Sequence, residues 1–475
     1  MKFFRKSLLT LSLLAAALPA FADMQKVTAI STPTGAGQKV IYAILEYSQE
    51  IDASKLRPAT FKVEGRNVEQ AFVTNQPNVN GKVTNGRYVV LVLNPHDPDA
   101  SLLEKSTERG ALPTVKTDFK LEVSQVRPLQ TLTEKPAKVT NLTSSTLINQ
   151  VVDDFQQFTY TDATTGTKIK YNLYVPANYD PHKSYPLVMF IHDAGNTSPN
   201  VETTLLQGNG ATVWASPEVQ AQQEAFVLAP QFDHEIVNDK SEDPADLEPT
   251  LNLIKTLANR YNIDMGRIYA TGQSGGGMME IAMNIKYPNF FAGTYLVACQ
   301  WDSKLVAPMA KNNMFVFVSQ DDAKAYPTQN QMRKVLEENG AVYGYQTVNG
   351  LAKTAELDQA VKELLAQGGN IHYMTIESGT LPAQKLSQSP SPGAAHMGTW
   401  EIAYNIPAIH SWLFAQRQPT AYNLTLDDVN QVYIAYFTQK PERFVTTENT
   451  SLTQISHIVA SASPKKPNQR LPKSN

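Results

Sequence analysis

The chain has 475 residues, 42% of them hydrophobic and 18% charged, with a formal charge of −3 at neutral pH. That length exceeds one ordinary domain and predicts two. The charge balance gives no basis for a nucleic-acid partner, and a lone cysteine, Cys299, excludes an intrachain disulfide, so the fold must rest on its core.

The chain begins "MKFFRKSLLTLSLLAAALPAFADM", a basic start, an apolar stretch and a small-x-small end at Ala20-Phe21-Ala22. This pattern predicts a cleaved signal peptide at 1–22, and the apolar stretch is shorter than a membrane span requires. Removing it takes the formal charge from −3 to −6, because it carries Lys2, Arg5 and Lys6 and no acid. No cysteine follows the cut, so no lipid anchor is expected there, and no later segment is apolar enough to span a membrane. The mature chain is therefore expected in the periplasm or outside the cell.

Residues 23–146 alternate as short strands. "QKVIYAILEYS", "TFKVEG", "RYVVLVLN" and "DFKLEVSQV" are separated by the turn clusters "TPTGAG", "VNGKVTNG" and "NPHDPDA". This spacing predicts a small antiparallel sandwich of the immunoglobulin type. The polar stretch "KVTNLTSSTLINQ" reads as a linker.

From 151 to 417 the pattern becomes α/β. "FQQFTYTDATTGTKIKYNLYVP" predicts a hairpin. The strands "PLVMFIHDAG" and "AFVLAPQF" follow, then the helix "DLEPTLNLIKTLANRYN" with Leu247, Leu251, Ile254 and Leu257 on one face. Next come the strand "RIYATG" and the helix "GGGMMEIAMNIKYP", stopped near Pro288. The strands "GTYLVAC" and "MFVFVS", the helix "QNQMRKVLEENG" closed by Gly340, the strand "NIHYMTIESG" and one final helix "TWEIAYNIPAIHSWLFAQR" complete the region. Such alternation means a mostly parallel sheet covered on both faces. Cys299, in the apolar run "YLVACQW", reads as a small buried filler. Residues 418–475 read as an extension with a disordered tail from about Ser461.

"RIYATGQSGGGMM" holds the candidate chemistry. Gly272-Gln273-Ser274-Gly275-Gly276 fits G-x-S-x-G between a strand and a helix, where a sharp, strained turn lifts a serine hydroxyl above the sheet. Gly272 and Gly276 are needed because side chains there would strike neighbouring backbone. The Gly275 amide then faces developing negative charge at a helix N-terminus. A serine needs a base and an orienting acid. The acid belongs after "MFVFVS", where "QDDAKAYP" offers Asp321 and Asp322. Among the later histidines, His372 reads as a packed strand residue, His410 as a core residue and His457 as part of the tail. His396, in a loop after the last strand, is the candidate base. A second oxyanion donor is expected from the turn His192-Asp193-Ala194-Gly195, with the Ala194 amide as donor and His192 as a brace. Asp193, Gln273, Trp214 and Trp301, with Tyr326 nearby, are candidates for a substrate pocket. The acids and histidine of "DHEIVND" form no convincing ligand set, and neither metal nor organic cofactor is expected.

These residues resemble an α/β-hydrolase group that includes polyhydroxybutyrate depolymerases, feruloyl esterases and the prolyl oligopeptidase branch. Within it they are most similar to bacterial esterases, often labelled predicted peptidases, with an immunoglobulin-like domain before the hydrolase. The resemblance runs through "YAILEYSQEIDASKL", "PLVMFIHDAG", "LLQGNGATVWASPEVQA", "FVLAPQF", "RIYATGQSGGGMM", "YPNFFAG", "FVSQDDAKAYP" and "HMGTWEIAYNIPAIHSWLF", to about Gln416. It implies Asp322 as the acid, through the aspartate before x-Lys-Ala-Tyr-Pro, and His396 as the base, through "HMGTW". The chain departs from the wider superfamily at Asp193, where His-Gly is usual. A carboxylate there either shapes substrate choice or caps the turn.

The resulting expectation is an α/β-hydrolase that acts on a small-molecule or polymer-linked carboxylic ester, through Ser274, His396, Asp322 and an acyl-enzyme. No nucleic acid or membrane span is involved, and homo-oligomerisation through the N-terminal domain is left open. The alternatives are a serine peptidase using the same triad and a non-catalytic surface-binding or assembly protein.

Overall fold

The computed structural model describes residues 23–105, 111–133, 137, 139–381 and 393–418. The leader expected at 1–22 and the extension beyond 418 lie outside the described residues, His457 included. The chain forms two compact units. One takes residues up to Ile30, Val40–Ala100 and Phe119–Ile148, and the other takes Ser31–Lys39, Ser101–Asp118 and the chain from Asn149 onward.

The N-terminal region is all β. A five-stranded sheet runs in the order Thr146–Asn149, Met24–Thr34, Gly37–Ile51, Gly86–Leu93, Val68–Thr74, and a three-stranded sheet in the order Phe61–Val63, Glu122–Gln125, Thr140–Thr143. Alternate residues turn inward: Ala43, Leu45 and Tyr47 on one strand, Val89 and Leu91 on its antiparallel neighbour. The buried Tyr47 hydroxyl donates to Gln125 Oε1 at 2.8 Å and so ties the two sheets. Arg66 and Asp97 form a buried ion pair at 3.1 Å, with Arg66 also donating to the carbonyls of Val40 and Asn94. The stretch expected to be a linker is instead two strands. Thr140–Thr143 pairs antiparallel with Glu122–Gln125, and Thr146–Asn149 joins the five-stranded sheet. Its threonines are polar enough to suggest a linker, yet they are β-branched and suit a strand.

The second unit is built on nine strands: β1 Gln156–Thr161, β2 Lys168–Tyr174, β3 Tyr185–Ile191, β4 Phe226–Gln231, β5 Ile263–Gln273, β6 Gly293–Val297, β7 Met314–Ser319, β8 Tyr343–Val348 and β9 Ile371–Ile376. The sheet order is β1-β2-β4-β3-β5-β6-β7-β9-β8. β1, β2 and β4 pair antiparallel, and every pairing from β4 onward to β8 is parallel. The helices are α1 Thr203–Leu206, α2 Pro217–Gln222, α3 Leu247–Arg260, α4 Gly275–Lys286, α5 Ala325–Glu338, α6 Thr354–Ala366, α7 Ala394–Ala403 and α8 Pro407–Ala415.

Strand periodicity divides the core. Leu187, Met189 and Ile191 of β3 face a layer with Leu251 and Ile254 of α3, Met279 and Met283 of α4 and Leu336 of α5. Val188 and Phe190 face the opposite layer with Val361 of α6, Trp400 of α7 and Leu413 of α8. β5 lies between β3 and β6 near the middle of the sheet, so its C-terminal end is held on both sides. Cys299 is buried and free, its thiol pushed up by that burial.

Three differences from the sequence reading concern local structure. The segment taken as one final helix is two, α7 and α8, because Pro407 starts the second and holds Ile406 extended at φ −112°, ψ 103°. His396 is in the first turn of α7 rather than in a loop. β8 and α6 were not foreseen. β8 is a polar edge strand, and α6 is an amphipathic helix burying Leu357, Val361 and Leu364. Among the described residues no helix is long and apolar enough to cross a membrane.

Candidate active site

β5 runs straight into Ser274, which has φ 50° and ψ −122°. A non-glycine residue in such a conformation costs on the order of 1–3 kcal/mol and persists only where its surroundings hold it. Here the Ser274 amide donates to Val297 O at 3.0 Å, and Ser274 O accepts from the Met278 amide at 2.9 Å as α4 begins. The flanking glycines follow from contact distances. A Cβ on Gly276 would lie 2.0 Å from Ile191 O, and one on Gly272 would lie 2.8 Å from the backbone of Gly276 and Gly277.

Three separate segments meet at Ser274. His396 Nε2 is 2.8 Å from Ser274 Oγ, and His396 Nδ1 is 2.5 Å from Asp322 Oδ2. With Nδ1–H donated to the carboxylate, Nε2 is left as the acceptor of the serine proton. Asp322 Oδ1 accepts from the amides of Lys324 at 3.1 Å and Ala325 at 2.9 Å, at the N-terminus of α5. Burial pushes the Asp322 carboxyl up. The bonds from His396, Ala325 and Lys324 outweigh burial and hold it below its ordinary range, so it stays a carboxylate. Asp321 faces elsewhere, accepting from Ser378 Oγ and, at 2.7 Å, from the Gly379 amide. The Trp400 ring meets the His396 ring nearly edge-on, centroids 5.2 Å apart, one helical turn along α7. A tryptophan four residues after the histidine was the available signal for this contact.

Gly275 is the first residue of α4, so its amide has no acceptor within the helix. Its missing Cβ would lie 3.4 Å from Ala194 N, which opens a short 3₁₀ turn after β3. The two expected donors are therefore neighbours. Beneath them lies a buried polar network. Asp193 Oδ1 accepts from the Gly195 amide at 2.9 Å, and Oδ2 accepts from Asn196 Nδ2 at 2.7 Å and Gln273 Nε2 at 2.9 Å. Gln207 Oε1 accepts from Asn196 at 2.6 Å and from Gln273 at 3.2 Å. Asp193 thus caps the turn and binds the elbow. Gln207 lies too far along the chain for local pattern to have suggested it, whereas Asn196, three residues after Asp193 in the same turn, was within its reach. His192 is fully buried. Its Nδ1 donates to Asp193 O at 2.8 Å and its Nε2 accepts from the Phe232 amide at 3.0 Å, while burial lowers its pKa and keeps it neutral.

The expected aromatic pocket residues are in the core. Trp214 has no exposed surface, donates to Gly210 O at 2.9 Å and packs on His410 and Phe414. Trp301 is 3% exposed, and half-buried Tyr326 packs against the same core cluster. His410 Nε2 donates to Tyr404 O at 2.9 Å within the core, and His372 packs against Phe315 and Trp412. Burial lowers both to about 4. A cleft of about 540 Å³ lined by Tyr174, Asn178, Lys183, Gln223 and Glu224 contains none of the residues around Ser274. Among the described residues no group of three or more His, Cys, Asp or Glu is arranged to hold a metal.

Residues 26–138 match the family described as the esterase Ig-like N-terminal domain. The chain is similar to a solved thermostable esterase, at 26% identity and a TM-score of 0.68, over 83% of this chain and all of that one. A stretch of 41 residues is 46% identical to acetylxylan esterase A of Emericella nidulans. It covers 9% of this chain and spans only 14% of the length of that curated relative.

Proposed function

We propose that this chain, an α/β-hydrolase preceded by an esterase-type immunoglobulin-like domain, cleaves carboxylic esters by way of an acyl-enzyme on Ser274. The observation that carries the reading is His396 spanning Ser274 Oγ at 2.8 Å and Asp322 Oδ2 at 2.5 Å, with the three residues drawn from three separate segments: the elbow after β5, the turn before α5 and the first turn of α7. Packing alone does not require such a chain of polar groups at a strained serine. General-base activation of a nucleophile does.

In this mechanism Ser274 Oγ attacks the acyl carbon as His396 Nε2 takes its proton. The carbonyl oxygen becomes an oxyanion held by the amides of Gly275 and Ala194. Asp322 orients the imidazole and stabilises its positive charge while it lasts. The tetrahedral species then expels the alcohol, which takes the proton from His396. A water enters, gives a proton to His396 and attacks the acyl-enzyme; collapse releases the acid and restores Ser274. The strain at Ser274 holds the hydroxyl in the attacking geometry from the start. The leader-like segment at 1–22 supports action outside the cytoplasm.

The test is hydrolysis of short p-nitrophenyl esters by the mature chain and by Ser274→Ala. Loss of the nucleophile should lower kcat by on the order of 10⁴–10⁶ with folding retained. A serine-directed phosphonate should transfer its phosphonyl group to Ser274 Oγ with loss of its leaving group, and a mass increase of that group should appear in the native chain only. Equal turnover in both proteins would refute the assignment. Cleavage of peptide amides in preference to esters would move the activity to the peptidase class.

A further inference from the structure

The chain between β4 and α3, residues 232–246, has no regular secondary structure. Connections of that length inside a compact unit are uncommon and often functional. This one is tied down along its whole course. At its start the Phe232 amide donates to His192 Nε2, and Phe232 O accepts from Ser198. His234 bridges Asp233 and Asp246 at 2.8 Å each, which closes the base of the loop. Asp239 pairs with Lys324, two residues beyond Asp322. Ser241 Oγ accepts from the Asp302 amide at 2.9 Å, and Asp243 pairs with Lys286 at 3.0 Å. The attachments run from the Ala194 turn to the Asp322 loop and on to the far end of α4. Each exposed ion pair contributes little alone, but together they hold the segment over the start of α4.

At the middle of this span is Val237. Its Cγ2 lies 3.4 Å from the position of the Cβ that Gly275 lacks, and Ala194 N and Ala194 Cβ lie 3.4 and 3.6 Å from the same point. Val237 is half-buried, and with Ile236 it packs on the core cluster that includes Met278 and Met279. An apolar side chain therefore borders the same point beside Gly275 that the Ala194 amide borders.

We propose that Val237 is a specificity-determining residue, the wall that limits the length of the acyl group. The proposal rests on the ester-hydrolase reading of the same site. The leaving alcohol must stay near His396 Nε2, which returns its proton. The oxygen of the former carbonyl sits at the Gly275 and Ala194 amides. The substituent left to meet a side chain beside those amides is the acyl group. With Val237 in place the site favours short acyl chains.

The experiment uses the mature chain, Val237→Ala and Val237→Phe, with Ser274→Ala as control. One substrate series varies the acyl group, p-nitrophenyl acetate to hexanoate. The other keeps acetate and varies the alcohol, phenyl to naphthyl. Discrimination by one or two methylenes in an apolar pocket is worth roughly ten-fold or more. Val237→Ala should raise the hexanoate-to-acetate ratio of kcat/KM about ten-fold, and Val237→Phe should lower it, with the alcohol series unchanged. An unchanged acyl ratio in both variants, or a change confined to the alcohol series, overturns the proposal. If turnover survives in Ser274→Ala, the underlying reading of the site fails instead.

Discussion

Gln273 Nε2 donates to Asp193 Oδ2 across 2.9 Å, and this bond joins the residue before the strained serine to the turn that presents the Ala194 amide. Gln273 ends β5 and the turn follows β3, and those two strands are neighbours. The carboxylate is satisfied by three donors, the Gly195 amide and the side chains of Asn196 and Gln273. Asp193→Asn keeps the volume but places an NH₂ where two donors converge, and a buried unsatisfied donor costs about 1–3 kcal/mol. We expect kcat to fall by about ten- to a hundred-fold with KM little changed, because the damage is to the position of an oxyanion donor and not to substrate binding. Steady-state kinetics on p-nitrophenyl acetate check this. A larger change in KM than in kcat would mean that Asp193 acts on the substrate directly.

The neighbouring acids give a sharper contrast. Asp322 meets His396, while Asp321 holds Ser378 and Gly379. Asp322→Asn keeps the shape but favours the wrong imidazole tautomer, and a loss on the order of 10⁴ in kcat is expected. Asp321→Asn should stay within a few-fold of the native chain. The bonds that hold Asp322 below its ordinary range also contribute stability. That contribution is present above the unfolded carboxyl pKa near 3.9 and is lost as pH falls through the lower folded value. The loss of Tm between pH 6 and pH 3 should therefore be smaller in Asp322→Asn than in the native chain.

What could be read in advance was what depends on near neighbours in the chain. The glycine requirement at Gly272 and Gly276 is a local steric fact, so the elbow is legible as a pattern. The alternation that predicted the doubly covered sheet is local too. The acid was different. Asp321 and Asp322 are adjacent in one turn; local pattern leaves both open, the family resemblance points to Asp322, and in the structure the contact with the distant His396 distinguishes them. The Asp193 network depends on Asn196 and Gln207, and the Val237 contact joins the middle of an irregular loop to the start of a helix. Neither leaves a periodic trace. Trp214 and Trp301 read as candidates for a substrate pocket because they fall near motif ends, with core packing the alternative; large aromatic side chains are as readily claimed by a core, and both are buried.

His234 should make the loop over α4 sensitive to pH. The bond from Asp233 raises its pKa, burial opposes this, and Asp246 raises it further. The charged groups around the contact are Asp233 and Asp246, with Lys170 near Asp233. A raised folded pKa means that the stabilisation is fully present below the unfolded value near 6.5 and is lost as pH rises through the folded value. Hydrogen exchange of residues 233–246 should therefore accelerate from pH 6 to pH 9, after correction for intrinsic exchange, by more than in α3 itself. In His234→Gln that difference should vanish. A native loop whose corrected exchange is independent of pH would count against the clasp.

Gly276 and Gly393 test the steric account of the elbow. A methyl group on Gly276 would lie 2.0 Å from Ile191 O and 2.8 Å from His192 O, both backbone atoms that cannot rotate away. Either the elbow or the end of β3 must move, and with it the Ala194 turn that follows. Overpacking of a tight site costs about 1–3 kcal/mol or more. Gly393, before α7, has nothing among the described residues within 4 Å of the corresponding point and a helical φ of −86°. Gly393→Ala should be neutral or stabilising by up to about 1 kcal/mol, by restricting the unfolded chain. Gly276→Ala should lower Tm and reduce kcat on p-nitrophenyl acetate at least a hundred-fold at temperatures where the variant is still folded. Both substitutions add the same atoms within the same unit, so a shared response would show that intrinsic glycine propensity, and not the contact with Ile191, governs the elbow.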